Sequence, residues 1–338
     1  MPSYATLTLH SLSYLWKRKL FNVTAQVIAS LLLSSVARAQ EFPSKTIRLV
    51  VPFTPGTSMD VVARMVAPAM SRRLNQPVIV ENMPGATGTI GSLAVARSEP
   101  DGHTLLVTSN NIVVAPLLMK KAPFDPLVDF VPITITSYSA MTLVASIKSD
   151  FSSVAQFVAA AKSDPGKMSY SSPGIGTTQH ISMEVLKNVV GLDIVHVPYR
   201  GSAGALNDIV IGEVPIAFVP VDLAAPQHRS GTLRILAVGS PTRHPMLPEI
   251  STLRENGILD ADSNPWHAFA APKGTPRAII DKLNSEIRTI LDMPDVKGKL
   301  NNAGLVVSTG TPEEMVELMK SDSARAAIVI KQNKISIN

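Results

Sequence analysis

Residues 50–60, VVPFTPGTSMD, restrict the fold more than any other stretch of this chain, because an apolar run stops at two prolines and a glycine and a helical pattern begins at once. Ile47, Leu49, Val50 and Val51 suit a strand of a parallel sheet covered on both faces, and Pro52, Pro55 and Gly56 end it. Thr57 stands where an N-cap belongs. Asp60, three residues on, takes the N3 place of a capping box, and Val61, Val62, Met65, Val66, Ala69 and Met70 supply one apolar helical face. Such a junction leaves unpaired backbone N–H groups and a partial positive charge at the mouth of a loop, where a carboxylate or phosphate can sit. The competing reading is a plain strand-to-helix turn, since α/β folds contain many of them. Pro68 interrupts the helical pattern and predicts a kink or an early end there.

Further along, strand signals at 47–53, 78–81, 104–108, 168–171, 194–197, 216–219 and 233–238 alternate with helical ones and predict parallel α/β domains. Ser153 with Gln156 resembles a capping box, Thr275 precedes Pro276 at N1, and Thr311, Pro312 and Glu314 combine both devices. After Thr275, residues Ile279, Ile280, Leu283, Ile287, Ile290 and Leu291 share one helical face. The stretch 131–146, rich in Ile, Thr, Val and Ser, is a candidate crossing between two domains, and 266–271 is the candidate return. Two connecting strands permit hinge closure.

The N-terminus carries an address. Lys17, Arg18 and Lys19 precede an apolar stretch, 20–36, followed by Ala37, Arg38 and Ala39, which together read as a secretory signal peptide cleaved before Gln40. A permanent anchor is the alternative, but the stretch is broken by Asn22, Thr24, Gln26 and several serines and falls short of the roughly 20 apolar residues of a membrane span. Four of the five units of net positive charge lie in residues 1–39, which hold no acids, so the remainder is close to neutral at +1. No cluster of Lys and Arg marks a nucleic-acid face. The absence of cysteine excludes disulfides, thiol catalysis and thiolate metal sites, although export would permit disulfides. Core packing must therefore hold the chain, and its length favours two domains.

Three chemistries compete for the polar residues. Gly56-Thr57-Ser58-Met59-Asp60 is close to the G-x-S-x-G nucleophile elbow and has its strand–turn–helix context, which makes a secreted α/β serine hydrolase using Ser58 the rival function. Against it, Asp60 replaces the last glycine, no histidine stands in a diagnostic position, and Ser58 is equally explained by a helix N-terminus. The histidines show neither H-x-x-x-H spacing nor an H-E pair, so no metal site is expected. Gly174-x-Gly176 is half a dinucleotide fingerprint, with Gln179 where the third glycine belongs, and no cofactor is expected.

Several segments stand in a recognisable order: ENMPGATGTIG at 81–91, PDGHTLLVTS at 100–109, SSPGIGTTQH at 171–180, HVPYRGSAGALNDI at 196–209, SGTLRILAV at 230–238 and APKGTPRAIIDKLN at 271–284. With them the chain resembles the Bug-type solute receptors, the extracytoplasmic binding proteins of tripartite tricarboxylate transporters. The resemblance runs from about residue 42 to the helix near Thr311. It implies a periplasmic, monomeric receptor with the two-lobed Venus-flytrap fold of type II periplasmic binding proteins, each lobe a mainly parallel α/β sheet flanked by helices. Residues 40–138 and 268–338 would form the first lobe and 139–267 the second. It also implies that a small organic carboxylate is held by backbone amides and bridging waters, then delivered to the transporter's membrane components, with no turnover. A sensing role, in which the receptor touches a membrane sensor instead, is a variant of the same reading.

Four loops are expected to meet at the carboxyl edges of the two sheets, where open α/β folds place ligands. The first lobe contributes Phe53, Pro55, Gly56, Thr57, Ser58 and Asp60, together with Thr108, Ser109 and Asn110. The second contributes Ser172, Gly174, Gly176, Thr177 and Thr178, together with Tyr199, Gly201, Ser202, Ala203 and Gly204, whose amides form another helix N-terminus. His180 is expected to brace the second-lobe loop, and Arg200 to be solvated. Two positions depart from the family pattern. Thr57 replaces a second glycine and either narrows the carboxylate pocket or adds a donor, and Val219 replaces a polar residue after Phe218, which favours a less polar ligand tail.

Overall fold

The computed structural model describes residues 42–336; the expected signal peptide, residues 1–39, lies outside the described residues. Among the described residues no helix is long and apolar enough to cross a membrane. In chain order the elements are β1 (Ile47–Val51), α1 (Ser58–Leu74), β2 (Val78–Asn82), α2 (Thr89–Ala96), β3 (Thr104–Ser109), α3 (Asn111–Val114), β4 (Phe130–Ser139) and β5 (Met141–Ser146). They continue with α4 (Val154–Ser163), β6 (Ser169–Ser172), α5 (Thr178–Val190), β7 (Val195–Pro198), α6 (Ser202–Ile211), β8 (Ile216–Pro220), α7 (Val221–Arg229) and β9 (Leu233–Val238). The chain then adds β10 (Trp266–Pro272), α8 (Arg277–Leu291), α9 (Pro294–Asn302), β11 (Leu305–Val307) and α10 (Pro312–Gln332).

The strands form two sheets, one in the order β11-β4-β10-β3-β1-β2 and the other β7-β6-β8-β5-β9. Both sheets are mixed, with most strands of each pointing the same way as expected. β1 runs parallel to β2 and β3, and β6 runs parallel to β7 and β8. β10, however, is antiparallel to both β3 and β4, β11 is antiparallel to β4, and β5 is antiparallel to β8 and β9. The reason is connectivity: βαβ crossovers return a strand in the same direction, whereas β4, β5 and β10 run directly out of one sheet or into the other.

The stretches read as crossings are thus themselves strands. Only Ala140 separates β4 from β5, and the return through 263–265 pairs with the outgoing chain. Met141 N–H donates to Ser263 O at 2.9 Å, and Ser139 N–H donates to Pro265 O at 2.9 Å. Gly239 N–H also reaches Met141 O at 2.7 Å. A Cβ on Gly239 would lie 3.0 Å from Ser263 O and 3.1 Å from Met141 O, so a side chain there would force the crossing strands apart.

Each sheet buries its own core. Leu106, Phe130, Trp266 and Met315 pack on one, and Leu143, Phe157, Tyr170, Met183 and Phe218 on the other, with Val144, Ile209, Val221 and Leu247 beneath the latter's second face. On α8, Ile280, Leu283, Ile287, Ile290 and Leu291 are buried as the periodicity predicts. Pro276 takes the N-cap place of α8, one residue before the N1 place expected for it. The capping box at Thr311 and Glu314 is present, and Ser153 accepts from Gln156 N–H.

α1 departs from expectation twice. Pro68 does not end it, for the helix continues to Leu74. Pro68 lies on the exposed side, where the carbonyl that loses its donor can be hydrated. Nor does the expected capping box form, because the Thr57 side chain makes no cap. Its hydroxyl instead donates to Thr54 O at 3.2 Å, and Asp60 accepts from Gly56 N–H at 2.9 Å, one residue earlier than the box requires.

Candidate functional site

An open cleft of about 1110 Å³ lies between the two sheets. Its first wall holds Phe53, Pro55, Gly56, Thr57, Ser58, Met59, Ser109, Asn110 and Asn111, and its second Pro173, Thr177, Thr178, Gln179, Ser202, Pro220, Asp222 and Leu223. Ser139, Met141, Pro265 and His267 line it where the chain crosses. Besides the single-turn α3, three longer helices start at this cleft, α1 from one side and α5 and α6 from the other. The side-chain caps of α1 and α6 are missing, and on α5 Thr177 accepts only from His180 N–H. First-turn N–H groups of all three therefore remain available to an anion.

The loop before α1 is held from behind. Asp60 is 3% exposed and accepts from Gly56 N–H at 2.9 Å, from Arg64 Nε at 2.9 Å and from Asn82 Nδ2 at 2.9 Å. Asn82 Nδ2 also donates to Phe53 O at 3.1 Å. Burial alone would raise the Asp60 pKa, but these partners outweigh it and hold the carboxyl below its ordinary value. Asp60 therefore braces the loop and does not line the cleft. Gly56 turns at φ 86°, a conformation that only glycine adopts without strain.

The second-lobe loop, residues 172–178, rests on a stack of aromatic rings. The rings of His180 and His196 lie 3.9 Å apart at 9°, and Tyr170 stacks on His196 at 4.8 Å. His180 Nδ1 accepts from Gly176 N–H at 3.0 Å, and His196 Nε2 lies 2.6 Å from Ser172 Oγ. Burial first, with Lys187 adding to it, lowers the His180 pKa to about 4. Burial and the neighbouring His180 do the same for His196, also to about 4. The neutral imidazole leaves Nδ1 free to accept, which is what Gly176 requires. Beneath the stack, Tyr170 donates to Glu184 at 2.5 Å and Lys187 pairs with Glu184 at 2.7 Å.

Of the expected site residues, Phe53, Pro55, Gly56, Thr57, Ser58, Ser109, Asn110, Thr177, Thr178 and Ser202 come together on the cleft. The others stand behind it. Thr108 is 1% exposed, Ser172 and Gly176 are tied to the histidines, and Gly174 supports Thr177 by accepting from its hydroxyl at 2.8 Å. Tyr199 donates to Asp208 at 2.5 Å, and Gly201 N–H is engaged by Pro173 O at 3.0 Å. Ala203 and Gly204 are exposed on the first turn of α6 away from the lining, and Arg200 is exposed as well. Val219 is 6% exposed and lines a small void behind the cleft beside Ala217 and Phe218. Ser58 makes no hydrogen bond with a histidine among the described residues, and His267 is turned to Ser137 Oγ at 3.2 Å. No group of three His, Asp or Glu among the described residues forms a metal-binding cluster.

The residues not anticipated were Met59, Asn111, Pro173, Gln179, Leu223, the crossing residues and, above all, Asp222. The signal for Asp222 was the strand-to-helix step at Phe218-Val219-Pro220-Val221, which repeats the logic of 50–60 without a glycine.

Two sheets joined by a paired crossing, with helix N-termini facing an open cleft, define a two-lobed periplasmic binding protein. The sequence matches the profile of the tripartite tricarboxylate transporter family receptor over residues 62–335. The chain belongs to this family. It is 32% identical to BugT of Bordetella pertussis over 316 residues, covering 93% of this chain and 97% of that protein. Among solved structures, an R. palustris protein with adipate superposes with a TM-score of 0.78 at 30% identity, covering 88% of this chain and 99% of the other. MatC of Rhodopseudomonas palustris with bound malate superposes with a TM-score of 0.75 at 30% identity, covering 86% and 100%. BugD, a periplasmic binding protein, superposes with a TM-score of 0.75 at 31% identity, covering 87% of this chain and 99% of the other.

Proposed function

We propose that this chain is a periplasmic receptor that captures a small organic carboxylate in the cleft and passes it to the membrane components of a tripartite tricarboxylate transporter. In this reading residues 1–39 are a cleaved signal peptide, residues 40–138 with 268–338 and residues 139–267 are the two lobes, and the receptor acts as a monomer. The observation that carries it is the meeting of three helix N-termini from both walls on a cleft whose lining holds no Lys or Arg. First-turn backbone N–H groups of these helices, with the hydroxyls of Ser58 and Ser202, would then receive the carboxylate directly or through water. Each charge-assisted hydrogen bond is worth about 1.5–3 kcal/mol, so several together, net of ordering costs, reach the roughly 8 kcal/mol of micromolar binding. Adipate and malate in the neighbours fit the same class of solute. The test is calorimetric titration with small mono- and dicarboxylates against their uncharged amides. Carboxylates should bind and amides should not; equal binding of both would remove the anion site from the reading.

A further inference from the structure

A fourth of the longer helices also begins at the cleft, and it differs from the other three. α7 starts directly after Pro220, and its second residue, Asp222, carries a carboxylate on the cleft lining. The N–H groups of Asp222 itself and of Leu223 point to that carboxylate, so this N-terminus already has its anion. Oδ1 of Asp222 is shut off from water and has no hydrogen-bond partner. Burial raises its pKa, and the two N–H groups offset this only in part. No Lys or Arg lines the cleft, and burial holds the other ionisable group there, His267, at about 4 and therefore neutral. Asp222 is thus the one acidic side chain among the described lining residues, which also include Met141, Pro220, Leu223 and Pro265.

We propose that Asp222 is the specificity-determining residue of the cleft and that it selects a carboxylate whose other end is a cationic ammonium group. This rests on the carboxylate-receptor reading and deepens it. The open helix N-termini make the cleft receptive to an anion, and Asp222 adds an acidic group to the same lining. Closure over a ligand withdraws more water from Asp222, which raises the demand for a compensating charge. An ammonium in the cleft supplies that charge beside the carboxylate. A second ligand carboxylate would face Asp222 as a like charge and bind only with uptake of a proton.

The test is isothermal titration calorimetry of the mature protein with γ-aminobutyrate, δ-aminovalerate and ε-aminocaproate. Their diacids of equal length (succinate, glutarate and adipate) and the monoacids butyrate, valerate and caproate are the comparisons. The best aminoalkanoate should bind at least about tenfold more tightly than its diacid. Asp222→Asn keeps the shape and removes the charge. It should weaken the aminoalkanoate by about tenfold or more, strengthen the diacid and change the monoacid by no more than about twofold. Asp222→Ser, which retains a helix-start residue, should act alike, and melting curves of both variants report whether the fold is intact. If butyrate, valerate or a diacid binds but the diacid is preferred in wild type, or if the ratio is unchanged in both variants, the role of Asp222 is overturned while the receptor reading stands. If no carboxylate in any series binds, both are overturned.

Discussion

Substituting His180→Phe keeps a ring in the stack and removes both the acceptor of Gly176 N–H and the group that titrates. Its effect on stability follows from protonation. His180 has a pKa of about 4 in the fold against an ordinary 6.5, so between those values the unfolded chain binds a proton that the native one refuses. Stability is therefore intact above 6.5 and falls as the pH drops toward 4, the loss being complete below it. Between about pH 7.5 and about pH 5, this one group should account for a loss of about 2 kcal/mol in wild type. The variant starts lower at about pH 7.5, by about 1–3 kcal/mol, because Gly176 N–H is left without a partner. It should then lose about 2 kcal/mol less than wild type on acidification, so the two curves converge. Urea unfolding at both pH values, followed by tryptophan fluorescence and circular dichroism, reads the difference. A His180→Phe protein whose stability falls with pH as steeply as wild type would refute the argument that the buried neutral ring holds the loop.

Other outcomes follow from the same geometry. Thr57 has φ −73° and ψ 160°, a conformation compatible with a following proline, so Ser58→Pro should fold while removing one cleft-facing N–H and weakening carboxylate binding by about tenfold, as titration calorimetry would read. Gly201→Pro should not be tolerated, since φ is 120° there and proline requires about −65°; a drop in melting temperature reports it. Asn82→Ala strips donors from Asp60 and Phe53 O, and should lower stability by about 1–3 kcal/mol and weaken ligand binding; unchanged affinity would separate loop bracing from recognition. Saturating ligand should reduce the radius of gyration in small-angle scattering and raise the melting temperature with ligand concentration over Kd.

The strand-to-helix junctions were legible because the apolar period changes abruptly around Pro and Gly, as at 50–60 and 171–180. β4 and β10 were legible only as connections: both are buried along almost their whole length, so neither alternates in polarity. Asp60 was misplaced because sequence spacing identifies a helix start but not the direction of its carboxylate, which Arg64 and Asn82 decide. The stacking of His180 on His196 joins a helix to a strand in the second lobe and leaves no periodic trace. Asp222 was hidden because an acid in a helix's first turn is ordinary; its meaning comes from a cleft that holds no cation.

The paired crossing also orders the assembly of the molecule. β4 and β10 flank each other in the first sheet, yet the chain between Ser139 and Trp266 has to be traversed before they can meet. Bringing the ends of a disordered segment of that length together costs about 4 kcal/mol in chain entropy. If residues 141–263 have already folded, the Met141 to Ser263 hydrogen bond places those ends side by side, and most of that cost is removed. The second sheet can form from its own continuous stretch, whereas the first waits for strands from both sides of it. During synthesis, β1 to β4 emerge early but stay without β10 until the second lobe is complete, so their exposed edge at β3 is the surface most open to aggregation in the nascent chain.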